Sequence, residues 1–193
     1  MPNHKTKVLI VVDMQHLFQA ANDPTTIANC QRLINNAISR QEFIIFLEFF
    51  RWGKTLPELT SIIPKDYKFC VTVAKFMDDG SSYVWDLLEN NMALQEKDIT
   101  VCGVNLNACV ESTVIGLEEK IAANELPTKI HLVSNACNSN MGHAYKEKTL
   151  LRLKEYANVT TVAAYVKANK SPYDLAEQAP QNNIGNVKQA LAA

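Results

Sequence analysis

The sequence has no apolar run near the ~20 residues that a membrane-spanning helix needs, and its opening, MPNHKTKVLIVVDMQ, reaches an aspartate too soon for the apolar core of a signal peptide. A cytoplasmic location is the expectation. Charge of one sign is also missing: 19 Lys and Arg face 20 Asp and Glu, for a net charge of -1, and the pI is near 6.4. The lysines are scattered. Neither nucleic acid nor an anionic membrane is therefore expected as a partner. The five cysteines, Cys30, Cys70, Cys102, Cys109 and Cys137, are odd in number and include no CxxC pair, which argues against both a disulfide framework and a thiolate zinc site. There is no internal repeat, no low-complexity tract and no glycine-rich phosphate loop, so nucleotide binding lacks support. What is present is 193 residues that are 47% hydrophobic, enough for one well-buried domain and short for two.

The apolar residues come in short blocks. Residues 7–13 (KVLIVVD), 42–50 (EFIIFLEFF), 69–74, 99–104, 129–134 (KIHLVS) and 159–162 each read as a strand, and the early ones are continuous enough to be buried on both faces. Between them lie helical spacings. Asp23-Pro24 with Thr25 and Thr26 supplies cap chemistry for a helix carrying Ile27, Cys30, Ile34, Ala37 and Ile38, and a short helix is expected from Leu56. Further helices are expected over 83–91, from Cys109 onward through Val110, Val114, Leu117 and Ile121, and over 143–156. Alternating strands and helices predict an α/β fold with a parallel sheet covered on both faces. The polar tail from about residue 168, with Pro172, Pro180 and a helix around 187–191, is expected to be peripheral: a cover, a lid or a subunit contact.

Three reactive residues occupy equivalent places in this scheme. Asp13 ends the first strand, Lys75 ends the third, and Cys109 follows the fourth. Ligands of an open parallel sheet bind outside the carboxyl ends of its strands, so the three can converge on one crevice. Singly, each has an ordinary use: Asp13 as a cap, Lys75 as a solvated strand end, Cys109 as a small core residue. Together they supply a base, an electrostatic stabiliser and a nucleophile. A thiol in a first helical turn also faces free backbone N–H groups and the positive end of the helix dipole, which lower its pKa.

Four ordered stretches carry a resemblance. VVDMQxxF (11–18), Lys75-Phe76, GVxxxxCV (103–110) and SNACNS (134–139) followed by His143 resemble the isochorismatase-like cysteine hydrolase superfamily. The resemblance spans roughly residues 7–166. It implies a three-layer α/β/α sandwich with a six-stranded parallel sheet of order 3-2-1-4-5-6, a homo-oligomer (dimer or tetramer), and no cofactor. It also implies an Asp-Lys-Cys triad of Asp13, Lys75 and Cys109, a cis peptide at Val104-Asn105, and an oxyanion hole from the N–H groups of Asn105 and Cys109. The expected activity is metal-independent hydrolysis of the C–N bond of a small amide or ureide through a thioester. The alternatives are vinyl-ether hydrolysis of the isochorismatase type, in which the cysteine need not be the nucleophile, and a non-catalytic scaffold used for binding or oligomerisation.

The chain departs from the nicotinamide-hydrolysing branch of that superfamily. Where that branch carries Asp-x-His and a further histidine for a metal, this chain reads LEFFRWG over 47–53, and no histidine lies between His16 and His131. A metal site is accordingly not expected. His16 stands where many members have asparagine, and Asn135 where an aspartate is common. Phe18, Phe50, Trp52, Tyr83, Asn138 and Met141 fall on loops at the carboxyl ends of strands. Of these, Phe18, Trp52, Tyr83, Asn138 and Met141 are the candidate pocket for a small planar or apolar acyl group, while Phe50 reads as packing.

Overall fold

A computed structural model describes residues 7–90 and 98–169. Six strands, β1 (Lys7–Val12), β2 (Phe43–Phe49), β3 (Cys70–Lys75), β4 (Asp98–Gly103), β5 (Ile130–Cys137) and β6 (Asn158–Thr160), form one sheet in the order β3-β2-β1-β4-β5-β6. All pairings are parallel. The order reverses between β1 and β4, which puts a crevice at their carboxyl ends.

The connections are helices α1 (Pro24–Ser39), α2 (Pro57–Thr60), α3 (Ser81–Glu89), α4 (Glu111–Ala123), α5 (Gly142–Leu153) and α6 (Val162–Ala168). α1 packs against α2, α6 and the central strands, while α3, α4 and α5 pack in series on one another. The sheet is thus covered twice, which explains why β1, β2 and β4 are apolar without alternation: Val8, Ile10, Val12, Ile44, Ile45, Leu47 and Val101 are all fully buried. α1 starts as the sequence predicts. The Asp23 carboxylate accepts from Thr26 N at 2.7 Å, with Pro24 in the first turn, a cap contributing about 1 kcal/mol.

Two expectations fail at the far edge. β5 runs on to Cys137, past the expected end at Ser134, because the β4–β5 register shifts after Val101 and lets Gly103 pair with Cys137. The expected last strand over 159–162 ends at Thr160, and α6 follows. The β-branched run of residues 159–162 leads into it and reads as strand, yet the Thr161 hydroxyl caps Ala164 N at 3.3 Å and Asn135 Oδ1 accepts from Val162 N at 2.8 Å. α3 begins two residues earlier than expected, at Ser81. The tail's expected helix over 187–191 lies outside the described residues.

Candidate active site

The site is built first from the pairing of β1 with β4. Val12 and Gly103 are register partners, and a Cβ on Gly103 would stand 2.1 Å from Val12 O. Only glycine fits, the more so at φ +121°. Beyond this pair the chain turns sharply on both strands: Asp13 takes a left-handed φ of 49°, and the Val104–Asn105 peptide bond is cis. Asp13 N donates to Leu47 O at 2.9 Å, Val104 N to Val12 O at 2.9 Å, and Leu106 N to Asn138 O at 2.8 Å. Each turn is therefore tied to a neighbouring strand end.

Lys75 reaches this point from two strands away. It is the register partner of Phe49, and its stem crosses above β2 so that Nζ lies 4.4 Å over the Phe49 ring and 2.9 Å from Asp13 Oδ2. Gly80 leaves space for the stem, since a Cβ there would come within 3.2 Å of Lys75 Cδ. Nζ also donates to Met77 O at 3.0 Å and Asp78 O at 3.3 Å. Both side chains of the ion pair are wholly buried. Such a pair costs desolvation that only close geometry offsets, and removing either partner strands a charge.

Cys109 arrives on an irregular turn. Residues Leu106–Val110 form a π turn that leads into α4. In a regular helix Asn105 O would accept from Cys109 N; here it accepts from Ala108 N and Val110 N, each at 3.1 Å. The Cys109 N–H is the one that carbonyl skips. The thiol is buried, and its Sγ donates to Asp78 Oδ1 at 3.6 Å.

The electrostatics overturn the expectation of a ready thiolate. Burial, then the charge of Asp13 and a hydrogen bond with it, push the Cys109 thiol up to about 12, with Lys75 opposing and Asp78 adding to the rise. Desolvation and two carboxylates outweigh the helix start. Asp13 is itself held above its usual range, mainly by burial, against the pull of Lys75. Asp13 Oδ1 is buried and accepts no hydrogen bond among the described residues. We place the proton on sulfur and the charge on Asp13, because the ammonium lies against that carboxylate.

The structure brings Asp13, Lys75 and Cys109 together, with Asn105 on the same turn. Of the pocket candidates, Phe18 and Trp52 stack at 4.5 Å with 9° between their planes, and Phe49 meets both edge-on at 6.4 Å. These rings join the site through Phe49, beneath the ammonium. Asn138 is partly committed to structure, its amide donating to Ala20 O at 3.1 Å. Tyr83 is half-buried in the first turn of α3, and Met141 is exposed just before α5. Phe50 is not core packing: it is exposed and pairs with exposed Phe76 at 4.7 Å. Cys137 is fully buried, at the register position that pairs with Gly103 of β4.

Sequence reasoning missed Asp78, although the acidic FMDDG turn directly after Lys75 signalled it, and assigned no task to Gln15. Gln15 is a clamp: its amide donates to Phe49 O at 3.1 Å and Gly53 O at 2.7 Å and accepts from Phe49 N at 2.8 Å, holding the loop that carries Trp52. In that loop's stretch, where the related branch places metal ligands, Glu48 instead accepts from Thr55 N and Oγ1 and pairs with Lys54. Among the described residues no group of three or more His, Cys, Asp or Glu is arranged to hold a metal ion.

No family model and no curated protein matches the sequence. Solved structures do. An isochorismatase-like hydrolase from Alkaliphilus metalliredigens is similar with a TM-score of 0.66 at 21% identity, over 86% of this chain and 99% of that one. This chain has the isochorismatase-like hydrolase fold. The fold also appears in MAR1 ribonuclease from Caenorhabditis elegans (TM-score 0.69, 21% identity, 84% of this chain and 80% of that one). A nicotinamidase from Staphylococcus aureus shares it too (TM-score 0.59, 22% identity, 80% and 99%). An isochorismatase-like fold thus supports proteins named for different reactions, and the chemistry of this chain is argued from its own side chains. Among the described residues no helix is long and apolar enough to cross a membrane.

Proposed function

We propose that this chain is a cysteine hydrolase that cleaves the C–N bond of a small amide or ureide through a thioester on Cys109. The observation that carries the reading is the wholly buried Asp13–Lys75 pair at 2.9 Å beside a buried thiol, at the switch point of the sheet. A structure gains little from burying such a pair, but a nucleophile needs a fixed base and a fixed cation.

In this scheme the Cys109 proton passes to Asp13 as Sγ bonds to the substrate carbonyl carbon, so no free thiolate has to accumulate. The carbonyl oxygen becomes negative and is received by the N–H of Cys109, which the π turn leaves unclaimed by Asn105 O, and by that of Asn105. Collapse breaks the C–N bond, and the leaving nitrogen takes the proton from Asp13. Water then attacks the thioester while Asp13 removes its proton, the acid departs, and that proton returns to sulfur. Lys75 keeps Asp13 ionised at the start of each half-reaction. Phe18, Phe49 and Trp52 wall one side for the acyl group. Solvent-exposed Leu17, Phe50, Trp52, Phe76, Met77 and Met141 on the same loops support a homo-oligomer that covers this end.

One feature favours the second reading, vinyl-ether hydrolysis: burial and the charge of Asp13 push the Cys109 thiol up to about 12. A single experiment separates them. With ammonia release measured over a panel of small amides and ureides, Cys109→Ala is expected to abolish turnover in a folded chain, and brief mixing with substrate to add one acyl mass to the wild type. Full activity in Cys109→Ala overturns the thioester scheme.

A further inference from the structure

The charged groups acting on the Cys109 thiol are Asp13, Asp78 and Lys75, two carboxylates against one ammonium. Asp13 and Lys75 neutralise one another at 2.9 Å. That leaves Asp78, whose Oδ1 is 3.6 Å from Sγ and which makes no ion pair with any described Lys, Arg or His. Its position is fixed from both sides. Its own carbonyl is bound by Lys75 Nζ, and the next residue, Asp79, anchors the start of α3 by accepting from Ser81 N at 2.7 Å and Ser81 Oγ at 3.0 Å. Asp78 is an exposed residue at the outer end of the turn, and its carboxylate touches the buried sulfur. A second acceptor lies deeper, the buried Asp13 Oδ1. The sulfur thus has one unbalanced negative charge beside it, carried by an exposed residue.

We infer that Asp78 is a specificity-determining residue, admitting amides or ureides that are neutral or carry an ammonium or amidinium group and rejecting those that carry a carboxylate. The inference rests on the hydrolase reading for its substrate class, but charge selection at the sulfur is measurable without turnover. Near the mouth of the site, opposite charges a few ångströms apart interact more strongly than in bulk water, so Asp78 alone is expected to separate cationic from anionic reagents by roughly fivefold or more. At low ionic strength the effect is greatest.

The test uses a Cys70→Ser background, since Cys70 is half-buried whereas the other four cysteines are buried. Two methanethiosulfonates of similar size, trimethylammonioethyl (cationic) and sulfonatoethyl (anionic), are compared for their rate of Cys109 modification, read by peptide mass and referenced to 2-mercaptoethanol. The cationic reagent is expected to be preferred. Asp78→Asn should lower that preference at least roughly fivefold, and Asp78→Glu, which keeps the charge, should retain it. Equal rates for the two reagents, or a preference unchanged in Asp78→Asn, overturn the inference. If Cys109→Ala loses turnover yet no preference is seen, charge selection falls and the hydrolase stands. A preference lost in Asp78→Asn supports charge selection even where turnover survives Cys109→Ala, which sinks the thioester scheme instead.

Discussion

Alkylation of Cys109 as a function of pH tests the site's electrostatics directly. The thiol is pushed up to about 12 from an ordinary 9.0, and alkylation proceeds through the thiolate. Three pH units mean about a thousandfold less thiolate near neutrality than an unperturbed cysteine would carry. Iodoacetamide labelling of Cys109, followed by peptide mass, is therefore expected to be slow at pH 7 and to rise about tenfold per pH unit beyond pH 10, where an unperturbed thiol has levelled off. The sign of the Asp13 contribution gives a sharper form. After burial, the largest causes of the rise are the charge of Asp13 and its hydrogen bond, whereas Lys75 opposes. Asp13→Asn removes the first two and frees the ammonium to favour the thiolate. Labelling of that variant at pH 8 should thus be faster than wild type while its turnover is lost, with circular dichroism confirming the fold. Rapid labelling of wild-type Cys109 at pH 7 with a plateau below pH 9, or slower labelling in Asp13→Asn, would refute the assignment of the proton to sulfur.

Gly103→Ala forces a Cβ to within 2.1 Å of Val12 O at a φ of +121°, and should cost at least about 3 kcal/mol by urea denaturation; a loss under ~0.5 kcal/mol would show that β1 and β4 can separate freely. Asn135→Ala removes the acceptor for Val162 N and should cost about 1 kcal/mol. Asn135→Asp, which restores the residue common in the related proteins, should match or slightly exceed wild type because a negative charge suits a helix start. An unchanged urea midpoint in Asn135→Ala would mean that α6 does not depend on this tether.

The sheet was legible because each strand is a short apolar block, and buried parallel strands need nothing else to be recognised. Asp13, Lys75 and Cys109 were legible for a related reason: a charged or reactive residue that stops an apolar run lies at a strand end, and strand ends of one sense share one side of the sheet. What the sequence concealed was set by neighbours distant along the chain. The proton on Cys109 depends on Asp13 and Asp78, which sequence spacing does not bring together. Asp78 is hard to single out because aspartates in such a turn ordinarily serve the turn itself, as Asp79 does here. The π turn shifts a single hydrogen bond and leaves the spacing of Val110, Val114, Leu117 and Ile121 intact. α6 was hidden by the strand-type residues 159–162 that lead into it, its start set by Asn135 on β5.

The Val12–Gly103 contact also orders events during synthesis. β1 finds β2 within a short stretch of new chain, but its other edge stays unpaired until β4 has been made, and Cys109 follows later still. Until then the end of β1, where Asp13 stands, has a partner strand available on one edge only. The ammonium of Lys75 can reach it sooner, since β3 precedes β4. Base and cation both lie in the first half of the chain, and the nucleophile is the last of the three to be synthesised.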